Sequence, residues 1–177
     1  MLILAIDPGE TTGWCLYDSV AACVLTGGCF PGVSFDAPDI PRPDFMLLER
    51  PKGYGPTRPQ VVDCAWTAGR LFERLPLVMG NMPIHAWTRH EVCKELTRAC
   101  HGAVSVRNDA TAWAACKLLH GGDAADSRAK KATKKAPASP AGPLGGITSH
   151  ARAACALAVA YTWQLKEATK YLDKIPF

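Results

Sequence analysis

The 177-residue chain has no apolar run approaching the ~18 residues needed to cross a bilayer, which argues against a membrane-spanning role. Its first residues, MLILAIDPG, hold no basic stretch and meet Asp7 too early for a secretory leader, so a soluble cytoplasmic protein is expected. No CxxC pair occurs among Cys15, Cys23, Cys29, Cys64, Cys93, Cys100, Cys116 and Cys155. Without a leader or paired spacing, these thiols are expected to be free and mostly buried, acting as small hydrophobes. No internal repeat is present, and the glycine-rich phosphate loops of a kinase-like module are missing. One further absence is local. The stretch from Arg128 to Lys135 contains no acid yet carries five of the 20 basic residues, although the net charge is only +4. A concentrated basic run points to a polyanion more clearly than a mild overall excess does.

What is present suggests one α/β domain spanning residues 1–177. LILAID (Leu2–Asp7), TGWCLYD and VAACVLTGGCF read as neighbouring antiparallel strands, with a bend at Asp18–Ser19. After a proline-rich loop, FMLLERP (Phe45–Pro51) is apolar nearly throughout, as a central strand is. Beyond KGYGPTRP the period changes. Val62, Trp66, Gly69 and Phe72 recur at helical spacing and predict a helix over Pro59–Leu75, with proline in its first turn. PIHAWTR predicts a strand, HEVCKELTRAC a helix, and NDATAWAACKLLH another helix capped by Asn108 or Asp109. With a last helix near the C-terminus, this order predicts a mixed sheet flanked by helices. Trp66, Trp87, Trp113 and Trp163 lie in periodic apolar patterns and are expected in the core or a subunit interface.

Residues 121–146 have a different texture, dominated by alanine, lysine, proline and glycine. A flexible basic loop is expected there, either a solvated linker or a phosphate-attracting segment through Arg128, Lys130, Lys131, Lys134 and Lys135. In RHEVCKELTRACH, a helix would bring His90, Cys93 and Cys100 near one face, with His101 close by. Zinc could take such a set, but the spacing matches no zinc finger, and core thiols beside edge histidines fit better.

Two acids need explaining. Asp7 closes the first strand and Glu49 stands near the end of FMLLER. A carboxylate there is costly unless solvated, paired or bound to a cation. Side by side, the two would offer oxygen ligands to Mg²⁺ or Mn²⁺, and two such ions ~4 Å apart serve in-line phosphodiester hydrolysis.

Three motifs in order resemble a known family. ILAIDPGETTGW resembles the first motif of RuvC-type Holliday junction resolvases, members of the RNase H-like superfamily. MLLERPKGYG resembles their second motif, a hydrophobic strand ending in a catalytic Glu, and SHARAACALAVA their last, a helix of the form H/D-x-x-D-A-x-A-x-A. GPLGGITSHARAACALAVA is especially similar to the phage-encoded branch. The resemblance implies an RNase H-like mixed sheet and a homodimeric, metal-dependent endonuclease acting on Holliday junctions or related branched DNA in recombination and repair, close to the nucleoid. It makes Asp7 and Glu49 metal-binding carboxylates, with His150 completing an ion's shell or orienting the water.

The fourth position of the motif, normally Asp, falls on Ala153, whose side chain has no atom that binds a metal. Three accounts stay open: a deliberate Asp→Ala change, a site completed by an acid from elsewhere such as Asp109, or a junction binder that cleaves weakly. Ser149 is the better residue to cap the last helix, which leaves His150 for the site. Lys52, Tyr54 and Arg58, just past Glu49, are candidates for meeting phosphates or an unpaired base, or form a plain Gly/Pro turn with exposed charges. Arg152 is a further phosphate candidate. The helix over Pro59–Leu75 is the candidate dimer interface, with Gly69 permitting close approach.

Overall fold

A computed structural model describes residues 1–34, 40–51, 59–128, 141–147 and 150–172, with residues 171 and 172 as backbone only. Five strands form one sheet in the order β3-β2-β1-β4-β5. They are β1 (Leu2–Asp7), β2 (Thr11–Asp18), β3 (Cys23–Pro31), β4 (Phe45–Arg50) and β5 (Ile84–Thr88). The first three make the expected antiparallel meander. At its first bend, Asp18 Oδ1 accepts hydrogen bonds from the amides of Val20 and Ala21. β4 then runs parallel to β1, and β5 parallel to β4.

Alternation along the strands builds two cores. Leu4, Ile6, Leu16, Met46 and Leu48 face α1 (Pro59–Met79), which covers them with Ala68, Leu71 and Leu75. Ile3, Ala5, Cys15, Tyr17, Phe45 and Leu47 face the other way. On that side lie α2 (Arg89–Ala99), α3 (Asp109–Leu119) and α4 (Ala151–Leu172). α4 is buried all round through its first three turns apart from Arg152, because it is wedged between the sheet and the other two helices. Its alanines allow that close approach. No helix among the described residues is long and apolar enough to cross a membrane.

Two details depart from the sequence reading. α1 does not stop at Leu75 but runs through Pro76 to Met79. The proline removes one hydrogen bond, to a carbonyl beside the half-exposed Phe72, and the packing of Leu71 and Leu75 outweighs that loss. The stripe of Val62, Trp66 and Phe72 is not the core-facing one, and Trp66 is 69% exposed. α1 has apolar residues on more than one face, so periodicity alone did not say which face meets the sheet. Trp113 is buried, while Trp87 and Trp163 pack against the core.

The segment 121–146 is also more built than its composition implies. A 3₁₀ turn, Gly122–Asp126, is tied to α3 by Trp113 Nε1 donating to Asp126 Oδ2 at 3.1 Å. Leu144 is fully buried, and its amide donates to the Ala125 carbonyl at 2.7 Å. Both ends are therefore anchored to the core, and Lys130, Lys131, Lys134 and Lys135 lie outside the described residues. All eight cysteines are free, with Cys15, Cys100, Cys116 and Cys155 buried, Cys29 exposed, and the rest between.

Candidate active site

β1, β4 and β5 are parallel, so their carboxyl ends share one edge of the sheet, where open α/β sheets place their chemistry. Ile6 pairs with Leu48, which sets Asp7 beside Glu49 one step further on. Alternation then turns both acids toward the side of α2, α3 and α4, continuing the row of Ala5 and Leu47. The next parallel strand, β5, ends at Thr88, and the residue after it is Arg89.

The turn after Asp7 is fixed by Thr12, which is fully buried. Its hydroxyl donates to the Gly32 carbonyl at 2.7 Å and accepts from the Gly9 amide at 3.3 Å. Gly13, paired with Asp7 across the β1–β2 ladder, forms a notch for the start of α4. A Cβ at Gly13 would lie 2.2 Å from the His150 carbonyl oxygen, so only glycine lets the two backbones meet. That same carbonyl accepts hydrogen bonds from Ala153 and Ala154, so His150 caps α4 through its backbone. Its side chain lines a cleft with Asp7, Glu49, Glu10, Thr11 and Cys64. The two readings of His150, cap and site, are thus compatible. Ser149 lies outside the described residues.

Two further helix N-termini reach the same edge. Thr88 caps α2 through a capping box with Glu91. Asn108 caps α3 in the same way with Thr111, leaving Asp109 as the first helical residue. Helix N-termini favour negative charge, both in Asp109 and in any phosphate that approaches.

Arg89 lies at the centre of these groups. Its Nη2 is 3.0 Å from Glu49 Oε2, 3.2 Å from Asp109 Oδ1 and 3.6 Å from Asp7 Oδ1. Glu49 is only 7% exposed, and its Oε2, close as it is to Arg89, makes no hydrogen bond of acceptable angle. Arg89 Nη1 is likewise buried without a partner. Burial pushes the Asp7 carboxyl up to about 6, with Arg89 opposing. Burial and then the Asp7 charge push Glu49 up to about 8, Arg89 again opposing. For Arg89, burial works against the charge, but Glu49, Asp7 and Asp109 outweigh it and hold the proton more firmly than usual. The acids outnumber the cation that faces them.

As arranged, no group of three or more His, Cys, Asp or Glu among the described residues is disposed to hold a metal ion. That applies to the His90, Cys93, Cys100 and His101 set as well, where Cys100 is buried and His101 exposed. The donor set at the strand ends nonetheless suits Mg²⁺ or Mn²⁺. It offers hard carboxylate oxygens, one imidazole, and a buried Glu49 oxygen with no hydrogen-bond donor.

Ala153 is buried and faces a second cleft, shared with Asp109, His150, Trp113, Lys117 and Arg152. Arg152 is exposed, its guanidinium 5.0 Å from the centre of the Trp113 ring. Arg128 is exposed, and Lys52, Tyr54 and Arg58 lie outside the described residues. Sequence reasoning missed Arg89 altogether, because its place just past β5 gains meaning only once β5 lies beside β4.

The sheet order, the parallel β1–β4–β5 edge and the flanking helices define an RNase H-like fold. Among solved structures, the chain is similar to T. thermophilus RuvC in complex with a Holliday junction substrate. The TM-score is 0.55 at 16% identity, covering 96% of this chain and 97% of that one. No protein-family model matches the chain, and no curated protein matches it.

Proposed function

We propose that the protein is a metal-dependent endonuclease that hydrolyses phosphodiesters in Holliday junctions or related branched DNA. The observation that carries this reading is the pairing of Asp7 and Glu49 at adjacent parallel strand ends, with His150 lining the same cleft. The fold shared with a junction-bound RuvC supports it. Asp7, Glu49 and His150 would hold the cation. When bound, Mg²⁺ or Mn²⁺ supplies Lewis-acid stabilisation of the phosphate and lowers the pKa of the attacking water.

The chain's own residues do the rest. Water attacks phosphorus as the bond to the leaving strand's oxygen breaks, and the His150 ring, exposed at the cleft mouth, orients that water. The three helix N-termini favour the approaching phosphate. Lys52, Tyr54 and Arg58, directly after the Glu49 strand, and Arg152 at the second cleft contact the DNA backbone, with Arg128 and the four lysines of the loop adding salt-sensitive attraction. Two copies act on a two-fold junction, and the exposed Val62, Trp66, Phe72 and Leu77 of α1 supply an apolar face for the pairing.

The test is cleavage of a labelled four-way junction with Mg²⁺ or Mn²⁺ by the protein and by Asp7→Asn. Symmetric cutting that Asp7→Asn abolishes is expected. Tight junction binding with no cutting by either form would instead make the chain a junction binder, a reading that Ala153 and the guanidinium among the acids favour. Absence of both binding and cutting would refute the nucleic-acid role.

A further inference from the structure

We infer that Asp109, carried by α3, supplies the carboxylate that α4 lacks at Ala153, and that Arg89 Nη2 occupies the cation position these acids define. The inference rests on reading the strand-end acids as a divalent-metal site.

Three carboxylate oxygens from three separate elements converge on one nitrogen. Asp7 comes from the end of β1, Glu49 from the end of β4 and Asp109 from the start of α3, at 3.6, 3.0 and 3.2 Å from Arg89 Nη2. A site shaped for a guanidinium engages its planar fork through several N–H groups at once. Here Nη2 is shared by all three acids, while Nη1 is buried with no partner. Glu49, more than nine-tenths buried, points Oε2 at this place yet receives no hydrogen bond there. The arrangement fits a point cation better than the group that now fills it.

Magnesium-sized ions hold oxygens at about 2.0–2.1 Å, so the three acids would draw in by roughly 1–1.5 Å. The Asp109 side chain, 70% exposed, is free to make that move. Arg89, with its side chain 29% exposed on a long flexible stem, has a path out to solvent. Asp109 and Ala153 line the same cleft, so the charge absent from one wall is supplied from the other. His150, between the two clefts, borders both.

The test is Mn²⁺ binding to the DNA-free protein, followed by calorimetry and by the loss of free-Mn²⁺ resonance intensity. The protein is compared with Asp7→Asn, Asp109→Asn and Arg89→Met, each checked for folding by its melting curve. The expected result is a loss of binding in Asp7→Asn, about tenfold or greater weakening in Asp109→Asn, and about tenfold tightening in Arg89→Met. Asp109 is surface-exposed, so its variant will fold. If Asp7→Asn loses the ion but Asp109→Asn binds as tightly as the parent, the role given to Asp109 is overturned while the metal site stands. If Arg89→Met gains nothing, Arg89 does not hold the cation position. If neither the parent nor Arg89→Met binds Mn²⁺, the metal reading fails as well.

Discussion

The two faces of the sheet are built from the same strands but do different things. One face is covered by a single helix, α1, over a purely apolar layer of Leu4, Ile6, Met46 and Leu48. The other carries three helices whose N-termini meet at the carboxyl edge of the parallel strands, where Asp7, Glu49, Arg89, Asp109 and His150 gather. The strand period of two makes this division. Carboxylates two residues beyond Ala5 and Leu47 fall on the three-helix side, and one residue of slip would turn them toward α1. The α1 face provides stability and leaves apolar side chains of α1 exposed. The opposite face provides charge, helix ends and a backbone notch at Gly13.

This contrast can be broken at several points. The largest effect is expected at Glu49. Glu49→Gln should lower junction cleavage about a thousandfold or more, as loss of a residue acting in the transition state does, while the protein stays folded. Cleavage within tenfold of the parent would place the chemistry elsewhere.

Gly13→Ala comes next. Its Cβ would collide with the His150 backbone, so α4 must shift at a cost of about 1–3 kcal/mol, lowering the melting temperature by roughly 2–4 °C for each kcal/mol. An unchanged melting curve with unchanged cleavage would show that the notch is not needed.

On the other face, Trp66→Glu should weaken self-association by about 2 kcal/mol, or some thirtyfold in Kd, without altering Mn²⁺ affinity. Sedimentation and calorimetry read the two separately. A loss of metal binding in this variant would contradict the division between faces.

The pH dependence tests the charge imbalance. In the metal-free protein, Asp7 and Glu49 keep protons up to about pH 6 and 8, whereas the unfolded chain releases them near pH 4. The folded form then binds more protons, so stability falls as pH rises from about 4 to about 8. Melting temperatures between pH 5 and 8.5 should decline, and the slope should flatten in Glu49→Gln or with Mn²⁺ added. A profile that rises over this range would contradict the burial of unneutralised acids.

The smallest effect is expected at Gly69. It has no atom within 4 Å of where a Cβ would stand, so Gly69→Ala should stabilise α1 by about 1 kcal/mol, read on monomeric protein at low concentration. A lower melting temperature would mean that this position is not the open surface it looks to be.

What was legible in the sequence was local. Acids closing apolar strands marked Asp7 and Glu49, and the change from period 2 to 3.6 placed every described strand and α-helix in its correct order. Arg89 and Asp109 could not be read in the same way, because their meeting depends on which strands lie side by side and where α3 begins in space. Asp109 entered only as a possible substitute, and nothing in its own neighbourhood distinguished it from a capping acid. Gly13 belonged to a quoted motif, but the backbone it admits comes from a helix 137 residues later. α1 shows the limit of periodicity: Trp66 and Leu71 are both apolar, and only the sheet decides which is buried.

The measurement that bears most directly on this account is anomalous diffraction from crystals of the protein soaked in Mn²⁺. The account predicts a peak among Asp7, Glu49, Asp109 and His150, with the Arg89 side chain displaced from its present place. Arg89 still seated among the three acids at saturating Mn²⁺, with no peak beside them, would contradict it.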